Sequence, residues 1–555
     1  MKIYDWLYIF DREELKLKKI LYVLYASFIA LFMIQIIVGC SARKQQESVL
    51  TIGIENDISE LNPLKMKDPY TFRVGWQIYE GLVGLDEDGN IIPKLAERWE
   101  VSKDHKEWTF FLQKNVYFHT SDIFANPQKT RNVTAEDIFY SFTGYCSSNS
   151  YPAFMLIDSI KGSSQYNQKK TDTIEGLQVL DTYTIKFVLN DSEPFFLDRI
   201  SSPWFGIFPK ELSQNHKTSE KAIVIGTGPY KLIRKTDNVV ELESNEHYWK
   251  SGVPGINKIV FRVIKNDQIR FLELQKGGID FMVTPKSLIN EIINPDGTLS
   301  DKYKKSFNLK VFPSFNSHFI GINQTKVTDR HLRNAITLAV NRYEIIKILN
   351  GLADVNIGTI PLNMRNFPEK EKIYYQTDIF DLLKAEEELK KSKYSGEEIE
   401  LLVHDKQGSE QIGEIVQHNL KNIGINIKLV KLDYNSLLER MLKGNTELFN
   451  FFVDYVFSSP EPLLFNMFTS AKIPIPNVWA YNNKSIDEAI FSLGKIADRK
   501  LSFEKSLTIQ EKVLLDVPAV FLFQQKNSII YSKSFRNLKV NGFFHYMLEE
   551  LGKVE

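Results

Sequence analysis

Apolar and polar positions change period repeatedly along the chain, between the spacing of two that marks strands and the 3.6 that marks helices. Val49–Asp57 (VLTIGIEND) opens the folded pattern as a strand. WTFFLQKNVYF, Trp108–Phe118, has two β-branched and aromatic runs around a polar Gln113–Asn115 turn and predicts a hairpin. Val133–Tyr145 predicts a helix capped by Thr134, with Asp137 closing a capping box. Val239–Trp249 and Ile256–Ile264 predict strands, and Asp267–Met282 a helix, a Gly277–Gly278 stop and a strand. His331–Gly351 predicts one long helix whose Leu332, Ile336, Ala339, Tyr343 and Ile346 share a face. Ile412–Leu432 predicts a helix, a turn at Gly424 and a strand. This mixture, with no short internal repeat, predicts an α/β (mixed α+β) architecture rather than a solenoid.

One stretch of this pattern carries a charge where few are expected. In FNFFVDYVF, residues 449–457, alternation places Phe449, Phe451, Val453, Tyr455 and Phe457 on one apolar face. Asn450, Phe452, Asp454 and Val456 fall on the other. No Lys or Arg lies between Lys443 and Lys472, so Asp454 has no cation near it in sequence. A buried, unpaired carboxylate is costly, so this position needs a partner from elsewhere in the fold or from outside it.

Composition narrows the setting. With 555 residues, 43% hydrophobic and 25% charged, the chain is large enough for two or three domains. Its 69 basic and 69 acidic residues cancel, which removes the electrostatic footprint of a nucleic-acid binder. The two cysteines, Cys40 and Cys146, form no C-x-x-C. Residues 20–39 hold no charge, follow Arg12, Lys16, Lys18 and Lys19, and end in Ile37-Val38-Gly39-Cys40-Ser41. This resembles the lipobox of bacterial lipoproteins and implies export with lipidation at Cys40. The alternative is an uncleaved signal anchor, and either form sends the rest of the chain across the membrane.

No H-E-x-x-H, G-x-S-x-G or phosphate-loop motif is present, and the nine histidines show no metal-ligand spacing. Neither a catalytic residue, a metal site nor a cofactor is expected.

Ordered segments carry a family resemblance: LNPLK at Leu61, WQIYEGLVGLDEDGNIIPKLAERWEV from Trp76, and VTAEDIFYSF at Val133. They continue with GTGPYKLI at Gly226, SNEHYWKSGVPGINKIVFRVI at Ser244 and GGIDFM at Gly277. LRNAITLAVNRYEIIKILNG, LKNIGINIKL at Leu420 and VDYVFSSPEP at Val453 complete the series. Together they resemble the family 5 extracellular solute-binding proteins of ABC importers. Most of these positions read as scaffold; Gly226 and Gly228 are expected in a turn with backbone angles that favour glycine.

The resemblance implies a two-lobed, three-domain, type II periplasmic-binding-protein-like fold with a hinge and an interlobe cleft. Residues 1–40 would be signal peptide and lipobox, and 41–48 a linker. Residues 49–82, 223–308 and 521–555 would form a discontinuous domain of lobe I, 83–222 its insertion, and 309–520 lobe II. Hinge crossings are expected near 309 and 520. It implies a monomeric lipoprotein facing the periplasm or cell exterior, capturing oligopeptides for ABC permease subunits. Dipeptide, muropeptide, nickel and haem are alternative ligands within the class. A tethered peptide hydrolase and a receptor without transport are alternatives outside it.

The acid of the family's Asp-Tyr pair, here Asp454, would hold the ligand's amino group, with the ligand backbone pairing with strands. Asn450, Phe452 and Tyr455 accompany it, and Asn316 and His318 are further contacts on a strand at Pro313–Gln324. Tyr70 lies in a segment, Lys67–Tyr70, whose backbone would face the ligand, although Pro69 has no N–H to donate there. In its spacing from Asp454 to Pro460 the chain departs from the family.

Overall fold

A computed structural model describes residues 48–202, 204–214, 224–364, 366–405, 408–455, 457, 459–496 and 498–554. Val49–Glu555 forms one compact unit. The apolar run 20–39 and Cys40 lie outside the described residues, so the lipobox reading is not addressed by the fold. Among the described residues no helix is long and apolar enough to cross a membrane.

The chain opens with β1 (Val49–Ile54) and α1 (Pro69–Ile78). Asp68 caps α1, its carboxylate accepting from the Thr71 N–H at 2.8 Å. Pro69 stands at the first helical position, where a missing N–H costs nothing. The Lys67–Tyr70 segment is therefore a helix entry, not an extended stretch set to pair with another backbone.

A small antiparallel sheet follows, built from β2 (Ala96–Val101), β3 (Glu107–Leu112), β4 (Leu177–Asp181) and β5 (Thr184–Val188) in the order β2-β3-β5-β4. It corrects the expected hairpin at 108–118. β3 pairs with β2 and β5, and beyond the turn, among the described residues, a single bridge joins Tyr117 to Asn132. Local sequence could not supply those partners, which lie elsewhere in the chain. Against this sheet pack α2 (Ala135–Tyr145), which carries the expected capping box at Thr134 and Asp137, and α3 (Phe196–Ile200).

Next come β6 (Tyr230–Lys235), β7 (Val239–Ser244), β8 (Lys258–Val263), α4 (Asp267–Gln275) and β9 (Phe281–Val283). Two strands in succession, β10 (Phe307–Pro313) and β11 (Asn316–Ile322), then lead into the second half of the unit. There α5 (Arg330–Ala339) and α6 (Arg342–Lys347) replace the expected single helix. Asn341 breaks it: its side chain accepts from the Glu344 N–H and caps α6, while its own N–H donates to Asn419. Tyr343, expected on the buried face, is 50% exposed as a result.

Among the elements that follow are β12 (Ala353–Val355), β13 (Ile399–His404), α7 (Ser409–Lys421), β14 (Ile427–Leu432) and α8 (Tyr434–Leu442). β15 (Leu448–Asp454), α9 (Pro460–Phe468), α10 (Arg499–Leu515) and β16 (Ala519–Ser532) come after them. A continuous mixed sheet runs β14-β13-β15-β11-β16-β9-β1-β8-β7-β6, with β10 and β12 also paired to β16. β16 is the long member. Its residues 519–523 pair with β11, and residues 526–532 pair with β10. The same strand thus serves two halves of the molecule, each with its own apolar core.

The family-like motifs meet at one buried carboxylate. Glu80 accepts from the Tyr248 hydroxyl at 3.0 Å, the Trp249 indole N–H at 3.0 Å and the Thr227 hydroxyl at 3.2 Å, and it lies 3.5 Å from Lys94 Nζ. Three stretches of the chain, Glu80–Lys94, Thr227 and Tyr248–Trp249, are held by this one group, which makes their residues scaffold. Gly226 and Gly228 act through proximity rather than unusual angles. A Cβ on Gly226 would lie 2.0 Å from the Ile78 carbonyl oxygen, and one on Gly228 2.5 Å from that of Gln77.

Candidate functional site

β15 is antiparallel to β11, with Leu448 opposite Ile322, Asn450 opposite Ile320, Phe452 opposite His318 and Asp454 opposite Asn316. β11 in turn pairs with β16, setting His318 beside Phe523. One face of these strands therefore changes character along its length. It begins as core at Leu448, Ile320 and Ile322 and ends in an accessible row of aromatic and polar groups. The opposite face, with Phe449, Phe319, Phe521 and Tyr455, belongs to a second core throughout.

Asp454 closes the accessible face. Its side chain is exposed at the last position of β15. Even so, its pKa is raised from the ordinary value, because surrounding protein displaces much of its water. A hydrogen bond from Asn316 and the charge of Lys286 act in the opposite direction. A solvent-accessible but poorly hydrated carboxylate is what a concave surface produces. Among the described residues no cation lies within the 4.0 Å of a salt bridge from Asp454; Lys286, just after β9, acts from farther out. Asn316 is buried, and its Oδ1 accepts from the Gln525 N–H at 3.0 Å. Its carbonyl is fixed by β16, which turns its amide toward Asp454.

Beneath the carboxylate lies an aromatic stack. The His318 ring sits between Phe523, centroids 4.4 Å apart and planes at 15°, and Phe452, at 5.1 Å and 19°. Burial first, then the Lys286 charge, pushes the His318 pKa down to about 3, so the ring is neutral at ordinary pH. It cannot serve as the counter-ion of Asp454. Phe452 is 43% exposed and continues to Phe451, centroids 5.9 Å apart, which stacks on Tyr434 at 6.2 Å; Tyr434 is itself 48% exposed.

The other expected site residues fall elsewhere. Asn450 is buried, donating at 3.1 Å to both the Oγ and the carbonyl of Ser409, and so anchors the start of α7. Tyr455 lies just past the end of β15 and turns into the core, its hydroxyl donating to the Thr359 carbonyl at 3.0 Å. Both are supports of the row rather than part of its surface. Tyr70, at the start of α1, packs on the core of the first half, 5.0 Å from the Arg73 guanidinium, which pairs with Glu55 at 3.2 Å.

Lys286, Gln525, Phe523 and Tyr434 join the site without having been expected from sequence. They come from three separate segments, Phe523 and Gln525 both lying on β16. Tyr434 had one signal, an aromatic at the first turn of a helix directly after a strand.

Among the described residues no three His, Cys, Asp or Glu side chains converge as metal ligands. Cys146 is buried and free, and burial pushes its thiol up to about 12, far from a reactive state.

The chain is similar to known proteins along most of its length. Residues 90–474 match the model of the bacterial extracellular solute-binding proteins, family 5, middle region. The dipeptide-binding protein DppE of Bacillus subtilis is 24% identical over 526 residues, 87% of this chain and 90% of that one. The dipeptide-binding protein of Escherichia coli is 29% identical over 385 residues, 66% of this chain and 68% of that one. Among solved structures, HbpA2 from Haemophilus parasuis superposes with a TM-score of 0.80 at 23% identity, covering 91% of this chain and all of that one. It shares the two-lobed fold. The chain belongs to the family 5 bacterial extracellular solute-binding proteins.

Proposed function

We propose that the chain is the substrate-binding lipoprotein of an ABC importer and captures short peptides by their free amino end. One observation carries this reading: Asp454 stands accessible on an aromatic platform with no cation in salt-bridge range among the described residues. A peptide α-ammonium, protonated at neutral pH, supplies the missing charge, and it relieves the poor hydration of the carboxylate. The exposed rings of Phe452 and Tyr434 suit an apolar side chain beside that ammonium. The dipeptide-binding relatives support the same ligand class.

Sheet pairing also supports a hinge. β10 and β11 meet at Ser314–Phe315, and β16 changes partner between Phe523 and Lys526. In this reading lobe I comprises residues 49–82, 223–308 and 521–555 with the insertion 83–222, and lobe II residues 309–520. The crossings lie within about five residues of 309 and 520. Cys40 is the lipidated residue that tethers the monomer to the cell envelope, where it meets the permease. The reading is one of binding without catalysis.

The test is a thermal-shift screen of residues 49–555 with free and N-acetylated peptides of two to five residues. Free peptides should raise the melting temperature and acetylated ones should not. Equal shifts from both sets would defeat ammonium anchoring, and no shift from either would defeat the peptide assignment.

A further inference from the structure

Along one edge of β16 two strands from different halves of the molecule pair one after the other. β12, with Val355 in a core of the second half, pairs with residues 523–525; β9, with Phe281 in the core of the first, pairs with residues 529–531. Between them Lys526, Asn527 and Ser528 border a notch. Two backbone bonds mark its ends: the Lys526 N–H donates to the Leu352 carbonyl at 2.8 Å, and the Thr284 N–H to the Ser528 carbonyl at 2.9 Å. The cavity in this notch has a volume of about 220 Å³, far more than one ordered water needs, and Asp267 and Arg270 of α4 lie on its wall.

Three polar groups on that wall are buried and unsatisfied. The Arg270 side chain is 2% exposed; its guanidinium donates to the Ile264 carbonyl at 2.5 Å and pairs with Asp267 at 2.7 Å, but its Nε has no partner among the described residues. The hydroxyls of Thr284 and Ser528, 7% and 3% exposed, are likewise without partners there. All three can donate, and the arginine cannot give up its charge. Buried donors in folded proteins are almost always satisfied, so an acceptor belongs in this cavity. The carboxylates already on its wall are committed to other groups: Glu55 accepts from Arg73 at 3.2 Å through one oxygen, and Asp267 from Arg270. The volume admits a carboxyl group together with waters, one of which can serve the second oxygen of Glu55.

The notch is level with Asp454. Asp454 lies opposite Asn316 on β11, and Asn316 accepts from the Gln525 N–H on β16. Gln525 lines the cavity and, two residues on from Phe523, shares the strand face that stacks on His318. Lys286, also on the wall, is the lysine whose charge reaches Asp454. Two strand spacings, about 9.5 Å, separate Asp454 from Gln525. An extended dipeptide spans about 7 Å and a tripeptide about 10 Å. We propose that this notch is a carboxylate subsite that gauges ligand length: it takes the free carboxyl end of a di- or tripeptide whose ammonium rests on Asp454. The inference rests on the peptide reading above and narrows it. A longer chain carries its carboxyl group past the three donors. Asp454 and the donors stand in different halves of the molecule, so a ligand of the right length ties the halves together through its two ends.

Titration calorimetry of residues 49–555, which form a compact unit of their own, tests this with alanine peptides of two to five residues and their C-terminal amides. The wild type should bind the two- and three-residue acids most tightly, and amidation should weaken them by roughly 10- to 100-fold. Thr284→Val combined with Ser528→Ala should abolish most of that penalty and keep the penalty for N-acetylation, which reads Asp454. Affinity that is flat from two to five residues, or amides that bind the wild type as well as the acids do, overturns the subsite and leaves the peptide reading standing. No binding by any peptide overturns both. Full recovery by the amide of Ala-Ala-Asp would give the notch to a side-chain carboxylate and overturn its assignment to the chain end. Should the double variant not fold, Arg270→Lys, which keeps the charge and removes Nε, carries the same comparison, and the wild-type length and amide series decides without any variant.

Discussion

Asp454→Asn keeps the shape and the hydrogen bond to Asn316 while removing the charge. It therefore separates an anchoring carboxylate from a structural one. Hydrogen bonds between charged groups contribute roughly 1.5–3 kcal/mol, and breaking a fully buried pair costs about 3–5 kcal/mol. Asp454 is accessible and already accepts from Asn316, so the lower range applies. A loss of about 2–3 kcal/mol corresponds to roughly 30- to 150-fold weaker binding of a peptide with a free amino end. The unliganded protein should respond in the opposite direction. Its folded state raises the Asp454 pKa and so disfavours the charge; replacing it should leave the melting temperature unchanged or slightly higher. Titration calorimetry with a short peptide and its N-acetylated form, on wild type and D454N, gives a double-mutant cycle. Acetylation should cost the wild type most of its affinity and D454N little more. Equal costs in both proteins, or a D454N protein destabilised without ligand, would refute the assignment.

Four further outcomes follow. Peptide affinity should fall with pH on the acid side as Asp454 protonates, beginning above the ordinary carboxylate range because its pKa is raised. D454N should remove that acid limb in calorimetric pH profiles. Gly226→Ala drives a Cβ to 2.0 Å from a helix carbonyl and should cost about 3 kcal/mol or more, read as a lower urea midpoint. His119 is 2% exposed, and burial pushes its pKa down to about 4. It binds a proton more readily when unfolded, so stability present above about 6.5 should fall by roughly 1.4 kcal/mol per pH unit below that, measurable as a shallower acid slope in His119→Phe. Arg342 and Asp378 form an ion pair at 2.9 Å with side chains 1% and 2% exposed; Asp378→Ala should destabilise by about 3–5 kcal/mol in urea titrations, by stranding the guanidinium.

How much of this was legible in sequence depended on whether the determining contact was local. The capping box of α2, the α7–β14 unit and the alternation through Phe449–Asp454 rest on neighbours in the chain, and they stand where the pattern put them. Asp454 itself was legible as a carboxylate without a local cation. Its surroundings were not, because they depend on the register of β11 against β15 and β16, which nothing in any one segment records. Asn450 and Tyr455 illustrate the gap. Alternation assigned Asn450 to the accessible face, but the start of α7 lies over that end of the strand and takes its amide. Tyr455, put at first among the ligand contacts, follows the strand's end and turns inward to Thr359. Other features carried a signal with a different cause. Pro69 stood out for its missing N–H, which at the first turn of α1 is an asset. Gly226 and Gly228 stood out as turn residues, but the reason only glycine fits is the C-terminal end of α1, some 150 residues earlier in the chain.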